Sequence, residues 1–121
     1  MATKQILAVL EDLFFTVKIN EAAKQAGLPV KFLKTEFDVL DQAQSSPALI
    51  ILDLNFSRID PVQLITKLKA DAATKPINLL GFISHVQVDL KQQAQAAGCN
   101  MVLARSAFST NLPQILKRYS E

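Results

Sequence analysis

Short apolar runs alternate along this chain with longer stretches in which apolar residues return every three or four positions. Ile6 to Leu10, Val30 to Leu33, Ala48 to Leu52, Ile77 to Ile83 and Met101 to Ala104 are brief, rich in aliphatic residues and mostly bounded by polar or turn residues, which predicts five strands. Between them, Phe15, Ile19, Ala22 and Ala26 follow helical spacing, as do Leu64, Ile65 and Leu68. Gly27 and Gly98 stand where helices would end in a left-handed turn. Asp60 followed by Pro61 reads as an N-cap with proline in the first helical position. A last helix is expected from about Leu112 to Tyr119. Strands that alternate with helices pair in parallel through right-handed crossovers, so helices must cover both faces of the sheet. The prediction is an α/β domain, a doubly wound five-stranded parallel sheet of flavodoxin-like architecture, without internal repeats.

The chain has 121 residues, 50% of them hydrophobic, enough for one continuous core, and residues 1–121 are expected to form a single domain. Its net charge is only +2, with basic residues scattered from Lys4 to Arg118, which argues against direct nucleic-acid binding. The apolar run at Ile6 stops at Glu11 and Asp12, too soon for a signal-peptide core or a membrane span. A soluble, cytoplasmic protein without membrane contact is expected. One cysteine, Cys99, permits no internal disulfide, and no second Cys or His cluster exists for zinc; Cys99 reads as a small core residue.

In such sheets, ligands bind beyond the carboxyl ends of the strands, where the strand order reverses. The tip residues are Glu11 and Asp12 after the first strand, Asp53 after the third, Ser84 and His85 after the fourth, and Arg105 after the fifth. Three crowded carboxylates repel one another unless a cation joins them, and hard oxygen donors with open water positions suit Mg²⁺. Beside such an ion, Asp53 is placed to attack a phosphoryl group, with Ser84 and Arg105 stabilising charge on the transferred oxygens. Bland readings stand beside these. Asp12 is also a natural cap for the following helix, Ser84 is a possible cap for the next one, and Arg105 is a possible static ion-pair partner for Asp53.

The stretch Asp53-Leu54-Asn55-Phe56-Ser57-Arg58-Ile59-Asp60-Pro61 resembles the segment that follows the phosphoacceptor in response-regulator receiver domains. The Glu11-Asp12 pair resembles that family's metal-binding acids, and Ala97-Gly98-Cys99-Asn100 through Arg105 its segment ending in Lys-Pro. The resemblance, to an atypical single-domain CheY-like receiver, spans nearly all of the chain. It implies Asp53 as phosphoacceptor, Glu11, Asp12, Asp53 and the main-chain carbonyl of Asn55 around Mg²⁺, Ser84 as the hydroxyl that engages the phosphoryl group, and Arg105 in the place of a lysine. A histidine kinase or phosphotransfer protein would be the donor and a further protein the downstream partner. The expected role is two-component signalling through protein contacts, not an enzyme turning over a metabolite.

Several positions depart from the pattern. Arg105 is planar and pairs bidentately, unlike a compact ammonium; Ser106 replaces the usual proline; Val102 stands where many receivers carry an aromatic switch. Gly81 competes with Ser84 for the hydroxyl position, and Ser84 is preferred because the apolar run continues to Ile83. These departures leave an alternative: a pseudo-receiver that keeps the fold and acidic tip as an interaction module without phosphorylation. His85 is expected to be a surface or loop residue, since adjacent side chains on an extended segment point apart and it cannot readily activate Ser84. An Asp-x-Asp phosphatase motif is missing from the first strand, and the acidic pair would repel a flavin phosphate. With the chain ending at Glu121, any signal is expected to leave through the surface, with Leu13, Phe14 and Val17 as one candidate docking face.

Overall fold

The computed structural model of the protein describes residues 4–84 and 87–120. Its elements run in strict alternation: β1 (Ile6–Val9), α1 (Leu13–Ala26), β2 (Val30–Leu33), α2 (Glu36–Ala43), β3 (Leu49–Asp53), α3 (Pro61–Ala70), β4 (Asn78–Ile83), α4 (Val88–Ala97), β5 (Met101–Ala104) and α5 (Arg105–Lys117). All five strands are parallel in the order β2-β1-β3-β4-β5. The order reverses between β1 and β3, which places the crevice for a site at their C-terminal ends.

Strand alternation divides the core into two layers. Ile6, Ala8, Leu49, Ile51, Leu80 and Phe82 pack with Phe15 and Ile19 of α1 and Phe108, Leu112, Ile115 and Leu116 of α5. Leu7, Val9, Ile50, Leu52, Leu79 and Ile83 pack on the other side with Val39 of α2, Leu64, Ile65 and Leu68 of α3, and Ala94 of α4. Burial on both faces explains why the strands read as continuous apolar runs.

The local signals act as the sequence suggests. Gly27 and Gly98 close α1 and α4 at φ 72° and 117°, a region that disfavours residues with a Cβ. Asp60 caps α3 by accepting from the Gln63 N–H at 3.1 Å, with Pro61 in the first turn. Cys99 is buried, with its thiol pushed above its ordinary pKa by burial.

The last helix differs from expectation. It starts at Arg105, not near Leu112, and contains Pro113. Its first turn lacks a side-chain cap, and β5 runs into it without a glycine or other turn signal. The buried stripe Phe108, Leu112, Ile115 and Leu116, at spacings of four, three and one, holds it against the sheet. Among the described residues, no helix is long and apolar enough to cross a membrane.

Candidate functional site at the carboxyl edge of the sheet

Asp53 is the last residue of β3, with Phe82 of β4 as its register partner. By strand parity it shares a face with Leu49 and Ile51, so its carboxylate emerges on the side of α1 and α5. It is buried, with only 7% of its surface accessible. The Asn55 N–H donates to Asp53 Oδ1 at 2.9 Å, and Arg105 Nη2 lies 3.6 Å from the same oxygen. Burial pushes the Asp53 pKa above its ordinary value of 3.8; the Asn55 hydrogen bond and the Arg105 charge pull it down without cancelling that effect, and the nearby Asp12 carboxylate adds to the rise.

Arg105 arrives at this carboxylate because β5 passes directly into α5. Leu103, two residues earlier, packs in the α1/α5 layer, and the same alternation brings the arginine to that side. Its guanidinium carbon is 5.6 Å from the Phe15 ring centre and 6.0 Å from that of Phe82. These rings sit 5.0 Å apart, and Phe82 stacks on Phe108 at 4.4 Å with their planes 14° apart. Phe15 and Phe82 thus lie beside the guanidinium with Phe108 packed behind them, and the negative ring faces favour a planar cation.

The two acids after β1 serve different partners. Asp12 caps α1: its Oδ1 accepts from the Phe15 N–H at 3.1 Å, so the capping role weighed from sequence is present. Glu11 is exposed and turned to Arg58 in the loop after β3, 3.3 Å away. Among the described residues, no group of three His, Cys, Asp or Glu side chains gathers at one point. As placed, the three acids have different partners: Glu11 faces Arg58, Asp12 caps a helix, and Asp53 Oδ1 is shared by an amide and a guanidinium.

At the end of β4, the tip position falls to Ser84. Gly81 lies inside the strand, paired with Leu52 and Val102, and a Cβ there would come within 2.9 Å of Leu54. Ser84 is tied to Asn55, whose side-chain oxygen accepts from the Ser84 N–H at 2.9 Å and from its hydroxyl at 3.2 Å. Asn55 Nδ2 in turn donates to the Gln87 side-chain oxygen, and the N-cap position of α4 is Gln87, which makes no side-chain cap bond, not Ser84. Asn55 therefore links the loop after β3 to the end of β4 through its side chain, a role that the sequence reading, which assigned it only a main-chain carbonyl, did not include. From sequence, Phe15 and Phe82 read only as apolar positions of a helix stripe and a strand run, and nothing in the sequence places them beside Arg105. His85 lies outside the described residues. Val102 is buried within the aliphatic layer, while Leu13, Phe14 and Val17 are exposed at 80%, 62% and 56%.

No protein-family model and no curated protein sequence matches the chain. Solved structures do. The phosphorylated cyanobacterial phytochrome response regulator RcpA superposes with a TM-score of 0.79 at 22% identity, over 97% of this chain and 91% of that one. The chemotaxis response regulator CheY4 of Vibrio cholerae gives 0.81 at 19%, over 98% and 99%. The receiver domain of the sensor histidine kinase PA1611 from Pseudomonas aeruginosa PAO1, which holds a magnesium ion in its active-site cleft, gives 0.81 at 18%, over 98% of each chain. With the β2-β1-β3-β4-β5 order and five flanking helices, the chain has the CheY-like fold of response-regulator receiver domains.

Proposed function

We propose that this chain is a receiver-type module of two-component signalling that works through protein contacts, with Asp53 held by Arg105 as a standing ion pair rather than kept open for phosphorylation. The observation that carries this reading is the seat of Arg105. Its guanidinium lies 3.6 Å from the Asp53 carboxylate and within 6.0 Å of two ring centres, so the positive charge that would otherwise have to be recruited is already part of the protein. The turn of Glu11 towards Arg58 and the aliphatic Val102 in place of an aromatic switch point the same way. Exposed Leu13, Phe14 and Val17 supply apolar contact area of the kind an interaction module uses.

The second reading, phosphoryl transfer to Asp53 from a phosphohistidine on a kinase or phosphotransfer protein, draws support from Ser84, whose hydroxyl stands beside Asn55 at the strand tip. It also draws on the exposure of the Glu11–Arg58 pair, which tethers Glu11 weakly. It requires Arg105 to pass from the Asp53 oxygen, 3.6 Å away, to the oxygens of the transferred phosphoryl group. Incubation with Mg²⁺ and a small acyl phosphodonor, or with beryllium fluoride, separates the two. The expected result is an unchanged intact mass and unchanged amide shifts around Asp53. A gain of one phosphoryl group, abolished by Asp53→Asn, would establish the second reading in place of the first.

A further inference from the structure

The amino edge of the sheet, opposite the Asp53 tip, carries a cluster of polar groups that the tip does not use. Leu49, Asn78 and Met101 begin β3, β4 and β5; Leu49 pairs in register with Asn78, and Leu80 with Met101. Between these strand starts and the end of α5 lies a cleft of about 150 Å³. Its floor is apolar: Leu49, Leu80 and Ile115 are buried, and Met101, 40% exposed, forms an adaptable flank. Its rim is polar. Asn78 Nδ2 donates to the Tyr119 hydroxyl at 3.2 Å, which fixes the phenol and leaves its own proton to donate. The Asn100 side-chain oxygen accepts from the Leu79 N–H at 2.8 Å, so its amide nitrogen remains a donor. Arg118 is the one charged residue of the lining, no Asp or Glu shares it, and among the described residues its guanidinium has no carboxylate partner.

We propose that this cleft is a binding site for a small monocarboxylate with a compact apolar body, the carboxylate held by Arg118 and the Tyr119 hydroxyl and the body resting on Leu49, Leu80 and Ile115. Donors dominate the rim and its only charge is positive, so an anionic oxygen pair is favoured over an amine or a neutral alcohol. Volume sets the size of the body, since a dry apolar cavity of similar volume holds a ring of about six carbons. The α5 carbonyls nearest the site do not repel the anion as free groups, because those of Ile115 and Leu116 accept from the Arg118 and Tyr119 N–H. The site lies at the other end of the strands from Asp53 and is independent of its state.

Tyr119 is the chain's one tyrosine and tryptophan is absent, so intrinsic fluorescence reports on the site directly. Titration with isovalerate at neutral pH should change that emission saturably, with a Kd on the order of 1 mM for so small a ligand. It should also shift the amides of Leu79, Leu80 and Met101 and leave that of Asp53 in place. Isoamyl alcohol, which lacks the charge, and acetate, which lacks the body, should each bind at least about tenfold more weakly. Arg118→Met, a change at an exposed position, should weaken isovalerate by about tenfold, and Arg118→Lys by less. Tyr119→Phe, followed by amide shifts alone, should weaken it by a smaller factor than Arg118→Met. A wild type with no saturable response overturns the proposal, as does an alcohol that binds as tightly as the carboxylate, and these two arms decide even if a variant fails to fold. A folded Arg118→Met chain with unchanged affinity overturns it as well.

Discussion

The two layers that sandwich the sheet are built from alternate residues of the same strands, yet they differ in kind. On the α1/α5 side, Phe15, Phe82 and Phe108 form a continuous aromatic block, two rings of which lie beside Arg105. On the other side, the core is aliphatic apart from Phe56 and Cys99. Both layers bury apolar surface and stabilise the fold by the same hydrophobic effect. Among the described residues, the aromatic layer also presents rings to a buried-edge cation, so one layer packs and the other both packs and holds a charge.

The largest expected effect comes from removing a ring. Phe82 is fully buried between the other two, so Phe82→Ala should destabilise the chain by about 3–5 kcal/mol. Leu64→Ala, equally buried in the aliphatic layer, should cost about 2–5 kcal/mol. Their unfolding in urea would thus look similar, and the Arg105 side-chain Nε–H resonance should separate them. It is expected to shift in Phe82→Ala and to stay in Leu64→Ala. Equal shifts in both variants would mean that the aromatic layer has no special hold on the arginine.

A smaller effect sharpens the comparison at the carboxylate. Because the folded protein raises the Asp53 pKa above 3.8, the native state binds this proton more tightly than the unfolded chain does. The resulting stabilisation is complete below the ordinary pKa and is lost as pH climbs through the raised value. Asp53→Asn stays neutral throughout, so its stability relative to wild type should grow with pH across that window and then level off. Exposed Asp71, whose pKa is lowered by its hydrogen bonds to Ala73 and Gln44, acts in the opposite direction in both proteins and cancels in the difference. Urea midpoints taken across the acid range would check this; a gap that narrows with rising pH would show that Arg105 outweighs burial.

The contrast between layers also marks what was legible beforehand. Strand runs, the glycines at 27 and 98 and the Asp60-Pro61 start are short-range signals, and the structure has each of them in the expected place. Asp53 could be placed at a strand tip because a carboxylate after four aliphatic residues stands out. The start of α5 was hidden, since Arg105 follows Ala104 with no turn residue and the helix is held by tertiary packing of Phe108. The Asn55 side-chain link to Ser84, 29 residues away, and the seat of Arg105 between Phe15 and Phe82 are long-range arrangements. Periodicity reports which face a side chain takes, but it does not say which neighbour it meets there.

The smallest expected effect belongs to the other ion pair at the tip. Arg58 and Glu11 are 3.3 Å apart, closer than Arg105 and Asp53, yet their side chains are 63% and 47% exposed against 35% and 6%. Water and salt screen such a pair, and ordering two long side chains consumes much of the attraction, so Arg58→Ala should change stability by less than about 1 kcal/mol. Distance alone would rank the two pairs the other way. Burial decides, because an arginine seated on aromatic rings cannot exchange its partner for water at little cost, whereas Arg58 can. Chemical denaturation of Arg58→Ala at low and high salt measures the difference, and a loss well above that bound which persists at high salt would show that the exposed pair anchors the loop after β3.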